Sequence, residues 1–303
     1  MASKNAKDNS QAREHQYRVQ NRKKIGQVLK ALRGIEKIAP SLAAELGTTL
    51  FCWPGPRRKI KKTDLPVELR PRLIKTPSGS IRVFESVSPQ RQGRVLLAHG
   101  WAGHPMQFKN LIRKLCKEGY GVVVYDQHAH GETKGVLSSL PDFMQTFEEV
   151  MNEFPDTEHL IGHSFGGLAL LCSVSGNKMM QKQVKSIVTI AAPQSPEELT
   201  KDFVMQFGFR EKSVDTFGKI ISRRKKVDFF SFTPKKYGPQ LGMPILVLHD
   251  EEDPDVPVEH AKAISKSLKN KTLKISKGLG HHKILRDAEV IEQILNFFQT
   301  SRL

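Results

Sequence analysis

The chain reads as an α/β protein: a doubly wound, mostly parallel sheet with a helical cap insertion and a basic, partly helical N-terminal arm. Three observations predict it. Short apolar runs recur between stretches of helical periodicity, the pattern of parallel strands buried on both faces. An apolar run, a sharp turn and a buried helix meet at Gly162-His163-Ser164-Phe165-Gly166. The charge is lopsided: of a net +17 over 303 residues, +11 falls on residues 1–62.

The elements follow in order. Residues 1–20 are polar and aperiodic, a disordered start. From about Val19, Ile25, Val28, Leu29, Leu32, Ile35 and Ile38 recur at helical spacing, with Arg22, Lys23, Lys24, Lys30, Arg33 and Lys37 elsewhere on the wheel. Pro40 ends that helix and Ser41 caps a second one. Residues 63–303 are then expected to form the domain proper, its strand–helix alternation beginning near Arg72. Leu73-Ile74 and Ile81–Phe84, split by Pro77-Ser78-Gly79, predict a hairpin. Val95–Ala98, Gly121–Tyr125, His159–Ile161, Ile187–Ile190, Pro244–Leu248 and Leu273–Ile275 predict strands. Met106–Lys117, Pro141–Glu153, Gly167–Val174, Pro257–Leu268 and Asp287–Phe298 predict the helices between and after them. One stretch breaks the rhythm. About residues 193–242 form an insertion, opened by the capping sequence Ser195-Pro196-Glu197-Glu198 and continued by a helix over Lys212–Arg224.

Composition narrows the class. With 38% hydrophobic and 26% charged residues the chain has the makeup of a globular protein. No apolar run approaches the ~20 residues that span a bilayer, and no secretory leader is visible. Cys52, Cys116 and Cys172 are odd in number and show no paired spacing, which fits a reduced compartment. A cytoplasmic enzyme is expected.

The chemistry centres on Ser164. A serine hydroxyl is a poor nucleophile near neutral pH, so it needs a base, and the base needs a group that fixes its tautomer. Gly278-Leu279-Gly280-His281-His282, after the last strand, offers two bases. Asp250-Glu251-Glu252-Asp253-Pro254-Asp255, after the preceding strand, offers the acid. Spacing leaves Asp250, Glu252 and Asp253 open for the acid, and His281 or His282 for the base. His128 and His130 form an H-x-H pair that a metal could use, but no matching carboxylate or cysteine pattern accompanies it, so a structural turn is preferred.

Across residues 72–300 the chain resembles the α/β-hydrolase superfamily, in particular its serine esterases and lipases. Gly162–Gly166 is similar to the nucleophile elbow, and His99-Gly100-Trp101-Ala102-Gly103 resembles the H-G-x oxyanion loop. Asp126 to Gly131 resembles the D-x-x-x-H-G turn. His249 to Pro257 resembles H-G-x-x-D-x-x-V-P, with Asp250 in place of the usual glycine. The resemblance implies an α/β-hydrolase fold and a triad of Ser164, Asp253 and His281. It also implies an oxyanion hole from the N–H groups of Trp101 and Phe165. It implies hydrolysis of a small-molecule acyl ester or thioester through an acyl-enzyme, with no cofactor and no metal. Peptidase or acyltransferase chemistry on the same triad, or a non-catalytic binding role, are the rivals.

Two regions lie outside that chemistry. The basic arm reads first as a helical extension packed on the domain, second as an interfacial helix on anionic membrane, and last as a nucleic-acid element, which no motif supports. Phe203, Phe207, Phe209, Phe217, Phe229, Phe230 and Phe232 crowd the insertion, either as its core or as a wall for acyl chains.

Overall fold

The structure, a computed structural model, describes residue 27, residues 32–87 and residues 91–301. The expected disordered start and, Gln27 apart, the first turns of the arm helix lie outside the described residues. Contacts divide the chain into two compact units, Met1–Phe51 with Thr200–Arg224 and Cys52–Leu199 with Lys225–Leu303.

The larger unit is built on one eight-stranded sheet. Its strands are β1 (Leu69–Thr76), β2 (Gly79–Ser86), β3 (Arg94–Ala98), β4 (Gly121–Tyr125), β5 (Thr157–His163), β6 (Ser186–Ile190), β7 (Ile245–Asp250) and β8 (Lys271–Ser276). Their order is β1-β2-β4-β3-β5-β6-β7-β8. The β1–β2 hairpin is antiparallel and joins β4 antiparallel; every other pairing is parallel. The hairpin is longer than its apolar residues announce. β1 starts at Leu69, and Pro71 is tolerated because β1 is an edge strand that need not donate on its open side.

Strands β3, β4, β6 and β7 are buried throughout, as continuous apolar runs require when helices cover both faces. With a side-chain period of two, Val95, Leu97, Val122, Val124, Ile161, Val188, Ile190, Leu246 and Leu248 share one face. There they pack with residues of α3 (Lys109–Lys117) and α12 (Ala288–Thr300), including Leu111, Ile112, Leu115, Ile294 and Phe298. The alternate residues face α5 (Phe165–Gly176), which lies on β5, β3 and β6 and packs against α4 (Leu140–Glu153). α6 (Lys178–Gln183), capped by Asn177, was not expected from periodicity. α9 (Pro234–Tyr237), α10 (Val258–Ser267) and α11 (Gly280–Lys283) complete this unit. β8 differs from its neighbours: it is an edge, and Lys271 and Lys274 stand on it where an apolar edge would invite another strand.

The smaller unit is helical. α1 (residues 32–38) and α2 (Pro40–Phe51) pack with α8 (Ser213–Lys225) and the later part of α7 (Pro196–Gln206), which the unit boundary crosses. Leu32, Ala43, Ala44, Val204, Phe209, Val214, Phe217 and Ile221 are its buried core. Phe203 meets Phe51 edge-on at 5.0 Å and Phe207 at 4.8 Å, and Phe209 meets Phe217 at 5.7 Å. Four of the insertion's seven phenylalanines therefore make ring contacts inside this unit, and Phe209 and Phe217 are core. Glu36 is buried here and accepts hydrogen bonds from Ser213 Oγ (2.8 Å) and the Arg210 N–H (3.4 Å). Among the described residues of the arm, Leu32, Glu36 and Phe51 thus belong to one unit with Thr200–Arg224 of the insertion, while Ile38 is left exposed. Among the described residues no helix is long and apolar enough to cross a membrane.

Candidate active site

Ser164 sits between β5 and α5 with φ +52° and ψ −128°. A non-glycine residue there costs about 1–3 kcal/mol, so its surroundings must hold it. They do so through the backbone: the Ser164 N–H donates to Ile190 O at 2.8 Å, and Ser164 O accepts from the Gly167 N–H at 2.9 Å. The flanking glycines are needed for close approach. A Cβ on Gly166 would lie 2.5 Å from both Ala98 O and His99 O, inside any tolerable contact. The elbow is therefore pressed directly onto the end of β3.

The loop after β3 lies against the serine. A Cβ on Gly100 would come within 2.7 Å of Ser164 Cβ and 3.3 Å of its Oγ, so only glycine lets this loop approach. Two buried imidazoles hold it. His99 Nδ1–H donates to Gly100 O at 2.8 Å, while its Nε2 accepts from the Gln127 N–H at 3.1 Å. His130 Nε2 accepts from the Ala102 N–H at 3.0 Å, and its Nδ1–H donates to His128 O at 2.8 Å. Burial keeps both neutral, pushing His99 well below the usual imidazole range and His130 down to about 4. With both ring nitrogens of His130 engaged by the backbone, the H-x-H pair serves as a turn. The Trp101 ring stacks on Phe143 at 6.1 Å and meets Phe165 edge-on at 5.7 Å, and Phe143 meets Phe165 at 4.9 Å. The side chains of both expected oxyanion residues are thus braced by Phe143, which nothing in the sequence singled out.

The candidate acid lies in the loop after β7, and the candidate base on α11, after β8. His281 Nδ1 and Asp253 Oδ2 are 2.7 Å apart, with the Asp253 side chain wholly buried. Asp253 Oδ1 accepts from the Asp255 and Val256 N–H groups at 2.8 and 2.9 Å. Burial is the largest single influence on this carboxyl and pushes its pKa up. The bond and charge of His281, with the two N–H donors, outweigh burial and hold it below the usual carboxylate range. An ionised Asp253 fixes His281 as the tautomer with a proton on Nδ1 and leaves Nε2 to act as base. His282 is more exposed and stands 3.9 Å from Asp255.

Asp250 is another acid beside this loop, and it has a different set of partners. It is buried, and its Oδ2 accepts from Ser276 Oγ (2.7 Å) and the Leu279 N–H (3.0 Å), while Oδ1 accepts from the Glu252 N–H (3.1 Å). One carboxylate thus ties the acid loop to the histidine loop two residues before His281. Burial pushes it up, but the N–H and hydroxyl donors together hold it below its ordinary range. Glycine at this position could make none of these bonds.

His163 joins the two halves of the site. Its Nε2–H donates to His281 O at 2.9 Å and its Nδ1 accepts from Gln107 Nε2 at 3.1 Å. Burial, aided by His281 and His282 nearby, holds it well below the imidazole range, so it is neutral and keeps that tautomer. The residue before the serine is therefore bonded to the backbone of the histidine. The Ser164 hydroxyl itself has no hydrogen-bond partner among the described residues. Among the described residues no cluster of three or more His, Cys, Asp or Glu could hold a metal ion.

Residues 95–293 match the model of the Alpha/beta hydrolase family. The chain is similar in structure to an esterase of Pyrococcus furiosus, with TM-score 0.61 and 18% identity over 81% of this chain and 96% of that one. It is also similar to a thermophilic esterase of Thermogutta terrifontis (TM-score 0.56, 16% identity, 77% of this chain and 100% of that one). A membrane phospholipase A described as a bacterial virulence factor gives TM-score 0.62 at 16% identity, covering 78% and 87%. At such identities the likeness is one of fold. No curated protein matches the chain.

Proposed function

This chain belongs to the α/β-hydrolase family, and from that premise we propose that it cleaves a carboxylic ester or thioester through a Ser164 acyl-enzyme. One observation carries the reading: the 2.7 Å His281–Asp253 pair is anchored at His281 O to His163, the residue before Ser164. In the proposed cycle Ser164 Oγ attacks the acyl carbon while His281 Nε2 takes its proton. Asp253 stabilises the imidazolium. The N–H groups of Trp101 and Phe165 hold the oxyanion, each donor of this kind lowering the barrier by about 3–4 kcal/mol. The leaving oxygen or sulfur departs with the proton from His281. A water, deprotonated by the same nitrogen, then releases the acid and restores Ser164. A cytoplasmic location and an acyl ester as the small-molecule partner belong to the same reading.

A fluorophosphonate probe tests it, since it forms a phosphonyl ester only with an activated serine. The wild-type protein should be labelled at Ser164 and Ser164→Ala should not, with unchanged thermal unfolding. Labelling of Ser164→Ala at the wild-type rate would remove the proposal. A panel of acyl esters and thioesters of graded length then ranks substrates by kcat/KM.

A further inference from the structure

The smaller unit presents an apolar stripe that neither its own core nor the proposed chemistry uses. Ile38, at the end of α1, and Leu42 and Leu46, on α2, are 89, 53 and 43% exposed. Their spacing of four places them along one face, while Ala43, Ala44, Gly47 and Thr48 turn inward. Glu45 shares the outer face, and its charge is more than balanced. It accepts hydrogen bonds from both Arg223 and Arg224, the latter at 2.6 Å, and Arg224 also reaches Thr49 Oγ1 at 3.1 Å. One carboxylate is thus met by two guanidiniums, with the Arg223 side chain 69% exposed. The other acid on these two helices, Glu36, is buried against Ser213. Lys37 adds a further exposed cation beside Ile38. Over Met1–Phe51 and Thr200–Arg224 the sequence carries 16 Lys+Arg against 7 Asp+Glu.

We propose that this face docks on the surface of an anionic lipid bilayer. Ile38, Leu42 and Leu46 enter the interfacial region, and Arg223, Arg224 and Lys37 meet headgroup phosphates. Aliphatic side chains rimmed by cations are what such a surface selects, because apolar burial and charge attraction then act together. A second copy of the chain suits the face less well, since two such faces would bring like charges together. Single-stranded nucleic acid suits it less well too, since the three side chains are aliphatic and give bases no ring to stack on.

The test is sedimentation of the full chain with vesicles of phosphatidylcholine alone or mixed with phosphatidylglycerol. Binding to the mixed vesicles that weakens with salt is expected, equal in Ser164→Ala because docking needs no catalysis. The double variant Leu42→Glu/Leu46→Glu should lose about tenfold or more in partitioning. Ile38→Trp, in an otherwise native chain, should shift its fluorescence to the blue on mixed vesicles only. Absence of sedimentation, absence of that shift, or binding that the double variant leaves unchanged would each overturn the proposal. So would a dimer in solution that the double variant dissociates, or binding to heparin or RNA with none to vesicles.

Discussion

The two halves of the candidate site are held together by different forces. The elbow half, Ser164 with the Gly100–Ala102 loop, is held by steric fit, backbone bonds and neutral imidazoles; a strained φ survives because glycines let chains touch. The acid–histidine half is held by charge: Asp253 and Asp250 are buried carboxylates that gather N–H, hydroxyl and imidazole donors from two loops. The first half should be intolerant of a single methyl group and indifferent to acid. The second should tolerate changes of shape that keep its hydrogen bonds and be sensitive to protonation.

The largest expected effect separates the adjacent histidines. His281→Ala should lower kcat by up to about 10⁶-fold, the scale of losing the base of a serine triad. His282→Ala, which removes a more exposed ring lying against His281 and His163, should cost far less. The reverse ranking, read from acyl-ester turnover, would misplace the base. Next, Asp253→Asn keeps the shape but favours the wrong imidazole tautomer, with an expected loss of about 10⁴-fold in kcat. Gly100→Ala strikes the steric half. Its methyl would enter Ser164's space and displace the loop that carries the proposed oxyanion donor, costing about 10²–10³-fold in kcat. A loss below tenfold would show that the loop gives way easily.

Asp250→Asn should act more mildly, by up to about 10²-fold, since it reaches His281 only through the backbone that precedes it, at Leu279 and Gly280. Its clearer signature is pH-dependent stability. Asp250 is held below its ordinary pKa in the folded chain. Its contribution is therefore complete above the unfolded value of about 3.9 and lost as pH falls through the folded one. Melting temperatures of wild type and Asp250→Asn should converge as pH drops below about 4. Gly100→Ala should run parallel to wild type over the same range. A constant gap for Asp250→Asn would argue that its role is shape alone.

Most of the sheet could be read from the chain. Val95–Ala98, Gly121–Tyr125 and Ile187–Ile190 are apolar runs with helical stretches between them, and their neighbours in sequence punctuate them. β1 and α6 were harder, because Arg70, Pro71 and Arg72 on an open edge carry no alternation and Lys178–Gln183 spans under two turns. The elbow could be read for a local reason: strand, turn and helix are contiguous in the sequence. Gln107 and Phe143 could not. Gln107 lies 56 residues from the His163 it bonds, and Phe143 earns its place only when α4 meets the loop after β3.

By itself the sequence determined the order of the elements, the strained turn at Ser164 and the short set of acids and imidazoles that could serve it. These follow from periodicity and local backbone sterics, which act over a few residues. Only the tertiary structure decided which acid faces which imidazole. Asp253 turns to His281 because its Oδ1 is occupied by the Asp255 and Val256 N–H groups, while Asp250 is taken up by Ser276 and Leu279. Only the tertiary structure, too, gave residues of the arm partners in the insertion, with Glu36 on Ser213 and Phe51 on Phe203. The physical reason is the same in both cases. A buried carboxylate or ring is satisfied by whatever long-range closure brings to it, and that choice is made between segments more than twenty residues apart.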